Sequence, residues 1–134
     1  MQHFPRVVIV TGASRGIGAA VAAGLAGDGH RVALLGRDAA ALDAVRAGLP
    51  GPALGVPADV TDAVAVEAAV ARVEEEWGPV EVLVSNAGAG FAAPLVDTSD
   101  EDWSRMIDLN LTAPFRLVRR VLPAVGRDFI GGGP

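Results

Sequence analysis

A glycine-rich segment, Thr11 to Gly18, carries the clearest chemical signal in the sequence, which there reads TGASRGIG. The apolar run Arg6–Val10 before it predicts a strand, and Gly16–Asp28 after it predicts a helix. Glycines at this spacing could also form a flexible turn without a ligand. Between a strand and a helix, however, they are typical of a turn that holds a phosphate group with its backbone amides.

Each glycine of this segment has a separate physical use. Gly12 permits the tight turn, Gly16 lets the backbone approach a pyrophosphate, and Gly18 allows close packing of helix against strand. The N–H groups from Ser14 to Ile17 and the positive end of the helix would then face the anion. The segment therefore predicts a site for the diphosphate of a dinucleotide.

Polar residues also follow the third and fourth apolar runs of the chain. Asp59 and Val60 come after the third run, and Ser85–Gly88 (SNAG) comes after the fourth. Further on, Asn110 lies in the run DLNLTAPF, seven residues after Trp103. These are the remaining candidates for binding and catalysis.

The glycine spacing GxxxGxG behind Thr11, with these segments in this order, resembles the short-chain dehydrogenase/reductase family, and 3-oxoacyl reductases within it. The resemblance covers essentially Arg6 to Arg127. It implies hydride transfer between a nicotinamide dinucleotide and a small-molecule carbonyl or alcohol substrate. One mild departure is Ser85, where the family commonly has a second asparagine.

The resemblance also implies roles for individual residues. Asp59 would accept a hydrogen bond from the adenine amino group, and the Val60 N–H would meet a ring nitrogen. Asn86, Ala87 and Gly88 would line the pocket near the nicotinamide ribose, with Asn86 also tying the central strands together. Read without the family, Asp59 could instead be a helix cap or a solvated loop acid.

Asn110 is the one catalytic candidate. The resemblance implies that it kinks a helix and holds a water of the proton relay, whereas by itself it could simply be a polar residue that breaks a helix.

Phe91 could border a substrate pocket, or it could pack in the interior. The candidate cofactor-binding residues are Gly12, Ser14, Arg15, Gly16, Ile17, Gly18, Arg37, Asp59, Val60, Asn86, Ala87 and Gly88.

The choice of cofactor depends on the end of the second strand. An NAD site places a carboxylate there, which holds the ribose 2′-hydroxyl and repels a 2′-phosphate. This chain has Gly36 at that position and Arg37 beside it, while Arg15 supplies a second cation from the glycine turn. Two guanidinium groups can bind the phosphate, so we expect NADP(H) to be preferred and NAD(H) to be the alternative. Asp38 is expected to cap the next helix, although a shift of two residues would make it a ribose ligand.

The family's reaction needs a Tyr hydroxyl, a Lys at i+4 that lowers its pKa, and a Ser that positions the carbonyl oxygen. The sequence contains no Tyr and no Lys, and none of Ser85, Ser99 and Ser104 occupies the catalytic position. We therefore expect a truncated chain that is inactive alone. Three hypotheses follow: part of an oxidoreductase, a non-catalytic dinucleotide-binding module, or a partner that completes its sheet with another chain.

The elements that must position these residues alternate along the chain. This alternation predicts an α/β fold, with a Rossmann-type doubly wound parallel sheet of order 3-2-1-4 in a single domain, residues 1–134. A fifth strand, starting at Phe129-Ile130, would be incomplete because Gly131–Pro134 cannot continue it. The predicted strands are Arg6–Val10, Arg31–Leu35, Ala53–Val56 and Glu81–Val84, and the predicted helices are Gly16–Asp28, Ala39–Leu49, Asp62–Trp77, one capped by Ser99 or Asp100, and Leu111–Val125.

Two surface features are expected from these elements. The unpaired edge of the fourth strand would invite self-association, either as a homo-oligomer or with a complementary chain. Glu74–Glu76 are expected at a solvated helix end, and Arg119–Arg120 are expected on the outer face of the last helix.

Composition restricts the classes of partner. The net charge of −5 argues against nucleic acid and against an anionic membrane, and the absence of Cys excludes disulfides and thiolate metal sites. The apolar run near the N-terminus is too short for a signal peptide, and no segment is long enough to span a membrane. The expected location is therefore the cytoplasm.

Overall fold

The protein is a parallel α/β sheet covered on both faces by helices. In the computed structural model, residues 4–90 and 92–130 are described, with side chains up to residue 124. The four strands lie in the order β3-β2-β1-β4, all parallel, which confirms the predicted fold class and strand order. They are β1 (Val7–Thr11), β2 (Arg31–Gly36), β3 (Ala53–Pro57) and β4 (Val82–Val84).

Five helices connect and cover these strands. The side chains of Asp38, Asp62 and Ser99 accept N–H bonds in the first turns of the second, third and fourth helices, as Ser, Asp and Asn caps do. The capping role expected for Asp38 is thereby confirmed. The helices are α1 (Gly16–Gly27), α2 (Ala39–Ala47), α3 (Ala63–Trp77), α4 (Asp100–Ile107) and α5 (Ala113–Ile130), with a 3₁₀ turn at Leu95–Asp97 and a π turn at Asp108–Thr112.

The core lies in two layers, one on each face of the sheet. Val8 and Val10 of β1 point to the layer formed with α1 and α2, whereas Val7 and Ile9 point to the layer formed with α3 and α5. All five residues of β1 are buried. This two-sided burial explains why the strand is continuously apolar instead of alternating.

Arg120 joins α5 to α3 by two ion pairs. Its Nε donates to Glu67 Oε2 at 2.6 Å, and its second guanidinium nitrogen donates to Glu74 Oε1. The hydrogen bonds that Arg120 donates, first to Glu74 and then to Glu67, hold its pKa above the usual value. The expectation of a merely solvated Glu74 is therefore wrong, and so is the expectation that Arg120 lies on the outer face of α5, because these two side chains join the helices. Their sequence separation of 46 residues gives no local signal of this contact.

The end of α5 corrects the expected fifth strand. Phe129 and Ile130 continue this helix and do not begin a strand, and the helix also runs through Pro123. Extending a formed helix costs less than nucleating a new element, and two apolar residues alone cannot distinguish helix from strand. Gly131–Pro134 lie outside the described residues.

The outer edge of β4 is unpaired within the described part of the chain. β1 pairs with β2 on one side and β4 on the other, and β4 pairs only with β1. All three residues of β4 are half-buried, in contrast to the buried β1. Among the described helices, none combines the length and the apolar character that crossing a membrane would require.

Candidate functional site

The turn between β1 and α1 exposes a row of backbone donors. Gly12 and Gly16 have φ angles of 60° and 58°, a region that glycine enters without the strain of a side chain. The Ala13 N–H is used, since it donates to Leu35 O at 3.2 Å. The N–H groups from Ser14 to Ile17 have no acceptor within residues 4–90 and 92–130. They form the N-terminal end of a twelve-residue helix and can therefore bind an anion.

Gly18 lies where helix and strand approach each other most closely. A Cβ atom at this position would be 2.2 Å from the carbonyl oxygen of Gly12 and 2.7 Å from Nδ2 of Asn86. The close packing predicted for Gly18 is thereby confirmed. This contact brings the start of α1 next to the ends of both β1 and β4.

Thr11 holds the segment after β4 in place, a role that the sequence interpretation missed. Its side chain is 1% exposed, and its Oγ1 accepts the N–H groups of Asn86 and Ala87, each at 3.0 Å. Asn86 Nδ2 in turn donates to Gly12 O at 3.2 Å, as expected for a residue that ties the central strands together. The available signal was a hydroxyl at the carboxyl end of an otherwise apolar buried strand. Without the Thr11 hydroxyl, the N–H groups of Asn86 and Ala87 would lack a partner. Each one that stays buried would then destabilise the fold by about 1–3 kcal/mol.

Asn110, in the π turn, fixes the loop that follows the Ser85–Gly88 segment. Its Nδ2 donates to Ala89 O at 2.7 Å and to Met106 O at 3.0 Å, while its Oδ1 accepts the Ala89 N–H at 3.2 Å. A Cβ atom on Gly88 would lie 2.7 Å from Oδ1, so Gly88 leaves room for this contact. The π turn matches the expected helix distortion. The water-holding role of Asn110 stays a prediction, and Phe91 lies outside the described residues.

The ends of β2 and β3 form the second part of the site. Ala58 N–H donates to Gly36 O at 2.8 Å, which joins the two strand ends. Asp59 follows directly, and its Oδ1 accepts the N–H and the hydroxyl of Thr61 at 2.9 and 2.7 Å. The hydroxyl bond lowers the pKa of Asp59 most, followed by the N–H bond, and the nearby Arg37 charge lowers it further. Since Asp62 caps α3, the helix-cap reading of Asp59 is wrong.

Two arginines at this edge are available to a ligand. The side chains of Arg15 and Arg37 are exposed, and neither forms an ion pair within the described residues. Gly36 itself faces the helix that follows, because a Cβ there would lie 3.2 Å from Cδ2 of Leu42. A side chain at position 36 would therefore require Leu42 to shift by a few tenths of an ångström, and the residue that follows this end of β2 is the cation Arg37.

The site as a whole lies at the carboxyl edge of the sheet. The glycine turn follows β1, Arg37 follows β2, Asp59 follows β3 and the Ser85–Gly88 segment follows β4. Open parallel sheets bind ligands at this edge, where the strand order reverses. The reversal here falls between β1 and β4, beside the glycine turn. The arrangement offers amide donors and cations to one extended, anionic ligand.

Comparison with known proteins gives a consistent result. The family model described as short chain dehydrogenase matches residues 6–131. The 3-oxoacyl-[acyl-carrier-protein] reductase MabA of Mycobacterium tuberculosis is 44% identical over 126 residues, which are 94% of this chain and 48% of that protein.

Two solved structures add information on ligands. L-sorbose reductase from Gluconobacter frateurii, complexed with NADPH and L-sorbose, matches with a TM-score of 0.86 and 31% identity, over 90% of this chain and 48% of that one. The 3-ketoacyl-(acyl-carrier-protein) reductase from Brucella melitensis, complexed with NADH, matches with a TM-score of 0.84 and 30% identity, over 88% and 49%. The chain thus spans about half the length of the relatives that it matches.

Proposed function

The chain belongs to the short-chain dehydrogenase family, and from this premise we propose that it binds a nicotinamide dinucleotide, NADP(H) in preference to NAD(H), as the cofactor-binding part of an oxidoreductase. The single observation that carries the proposal is the close approach at Gly18. A Cβ atom there would meet backbone at 2.2 Å, so the turn is built for packing that only glycine permits. The same packing presents the N–H groups from Ser14 to Ile17 to a diphosphate.

The residues present fit the cofactor along its length. The amides of the turn suit the diphosphate, Asp59 and Val60 suit the adenine, and the Asn86–Gly88 segment suits the nicotinamide ribose. Related proteins occur with NADPH and with NADH, so the family alone does not decide between them. The preference for NADP(H) is supported by Arg15 and Arg37, which are exposed and form no ion pair in the described residues.

The bound nicotinamide would supply a hydride for, or accept one from, a small-molecule carbonyl or alcohol. This chain's residues would position it: Thr11 fixes the backbone of Asn86 and Ala87, and the Asn110 amide fixes Ala89. Asn110 would hold a water near this loop for proton transfer. The family's Tyr and Lys are not among the 134 residues. The chain itself therefore orients the cofactor without supplying the proton.

Calorimetric titration of the purified protein with NADPH and with NADH tests the proposal. We expect one molecule of NADPH to bind per chain, more tightly than NADH, and no consumption of NADPH when carbonyl compounds are added. Folding is checked on the same sample by far-UV circular dichroism. A folded sample that releases no heat with either coenzyme would show that the proposed function is wrong.

We also propose that the chain self-associates through the edge of β4 that is unpaired in the described residues and through an exposed apolar face of α5. That face carries Phe115, Val118 and Leu122, which are 58%, 44% and 53% exposed. An unpaired strand edge beside exposed apolar side chains favours association in water. Light scattering during gel filtration should show a mass above that of one chain, or a complex with a complementary chain. A monomer that melts cooperatively would contradict this.

A further inference from the structure

We infer that Thr61 is a positioning residue of the adenine subsite, which holds the Asp59 carboxylate so that one of its oxygens stays available for the adenine amino group. The inference rests on the proposed function and assigns a role to a residue outside the glycine turn and the strands. Thr61 lies between β3 and α3, and its side chain is half-buried.

The contacts between these two residues are asymmetric. Both Thr61 donors, the N–H and the hydroxyl, bind the same oxygen, Oδ1, at 2.9 and 2.7 Å. The other oxygen, Oδ2, has no hydrogen bond from any residue in 4–90 and 92–130. Two bonds to one oxygen fix the plane of the carboxylate and leave Oδ2 as a preoriented acceptor.

Next to this acceptor stands a backbone donor. The Val60 N–H has no acceptor in the described part of the chain, while the Val60 side chain is 7% exposed and anchored in the core. An acceptor on Asp59 and a donor on Val60 complement an amino group beside a ring nitrogen, as on adenine. Hypoxanthine carries a carbonyl oxygen where adenine has the amino group and an N–H where adenine has the ring nitrogen N1. It therefore presents an acceptor to Oδ2 and a donor to the Val60 N–H, the reverse of what the two residues complement.

The Asp59–Thr61 contact is not the N-cap of α3, which Asp62 provides. Asp62 Oδ1 accepts the N–H groups of Val64 and Ala65 at 3.0 and 3.2 Å. The Thr61 bonds also lower the pKa of Asp59 below its ordinary value of 3.8. The carboxylate is ionised at neutral pH in any case, and these bonds extend its range as an acceptor further into acid.

The test compares Thr61→Val with Thr61→Ser, using NADPH and its hypoxanthine analogue as probes. Valine keeps the shape of threonine and removes the hydroxyl, while serine keeps the hydroxyl. Thr61→Val frees the Asp59 side chain, which must then be ordered again when NADPH binds. We therefore expect this variant to bind NADPH about 3- to 10-fold more weakly than the wild type. The analogue should bind both variants as it binds the wild type, and Thr61→Ser should restore NADPH affinity. Carboxyl NMR titration should show a raised Asp59 pKa in Thr61→Val.

Two outcomes would overturn the inference while the proposed function stands. Thr61→Val could bind NADPH as tightly as the wild type, or it could lose affinity equally for NADPH and for the analogue, which would indicate a merely structural role. A wild-type protein that binds neither coenzyme would overturn the proposed function and, with it, the role of Thr61.

Discussion

Replacing Gly18 by alanine is expected to abolish dinucleotide binding and to destabilise the fold by about 3 kcal/mol, at the upper end for overpacked sites. The added Cβ would lie 2.2 Å from the oxygen and 2.9 Å from the carbon of the Gly12 carbonyl. These are backbone atoms, which cannot rotate away as the end of a side chain could. The start of α1 must therefore move off β1, and the amides from Ser14 to Ile17 would move with it. Urea denaturation and NADPH titration measure the two effects.

Gly24→Ala is the matched control, because Gly24 lies in the same helix. A Cβ there would have no neighbouring atom within 4 Å. Alanine is the better helix former, so this variant should bind NADPH normally and gain about 0.5–1 kcal/mol in unfolding free energy. If Gly18→Ala were as stable as Gly24→Ala and bound NADPH as well, the role given to Gly18 would be wrong.

The parts of the fold that follow from local patterns could be predicted. Short apolar runs identified all four strands to within about a residue, and three of these runs were almost continuously apolar, as strands covered on both faces can be. Polar caps at Asp62 and Ser99 marked the starts of α3 and α4. The need for glycine at Gly18 followed from its place in the first turn of the helix, where that helix packs against the preceding strand.

Contacts between distant segments could not be predicted in this way. Thr11 serves amides 75 and 76 residues away, and Arg120 reaches a carboxylate 53 residues away. The Asn110 amide likewise binds Ala89, in a loop that lies 21 residues earlier. Such partners come together only after the strands pair, so no local pattern contains them. The same holds for the influence of the Arg37 charge on Asp59, which follows a different strand.

Arg37→Ala is expected to weaken NADPH binding about 10- to 100-fold, because one hydrogen bond to a charged group contributes roughly 1.5–3 kcal/mol. The Kd for NADH, which lacks the 2′-phosphate, should change little. Arg15→Ala should act in the same direction. The backbone amide of residue 15 remains for the diphosphate, so only the contact of the side chain with the 2′-phosphate is lost. Both effects should shrink at high salt, as both side chains are exposed. Calorimetric titration of each variant with both coenzymes gives the ratio of the two affinities.

Arg31→Ala provides the control for charge alone. Arg31 begins β2, so it lies at the opposite edge of the sheet from Arg37, which follows the end of that strand. Six residues at about 3.3 Å each put roughly 20 Å between the two positions, twice the screening length at ordinary salt. Arg31→Ala should leave the NADPH-to-NADH ratio unchanged. If it lowered that ratio as much as Arg37→Ala does, the preference would come from net charge; if no variant moved the ratio, neither Arg15 nor Arg37 would bind the 2′-phosphate.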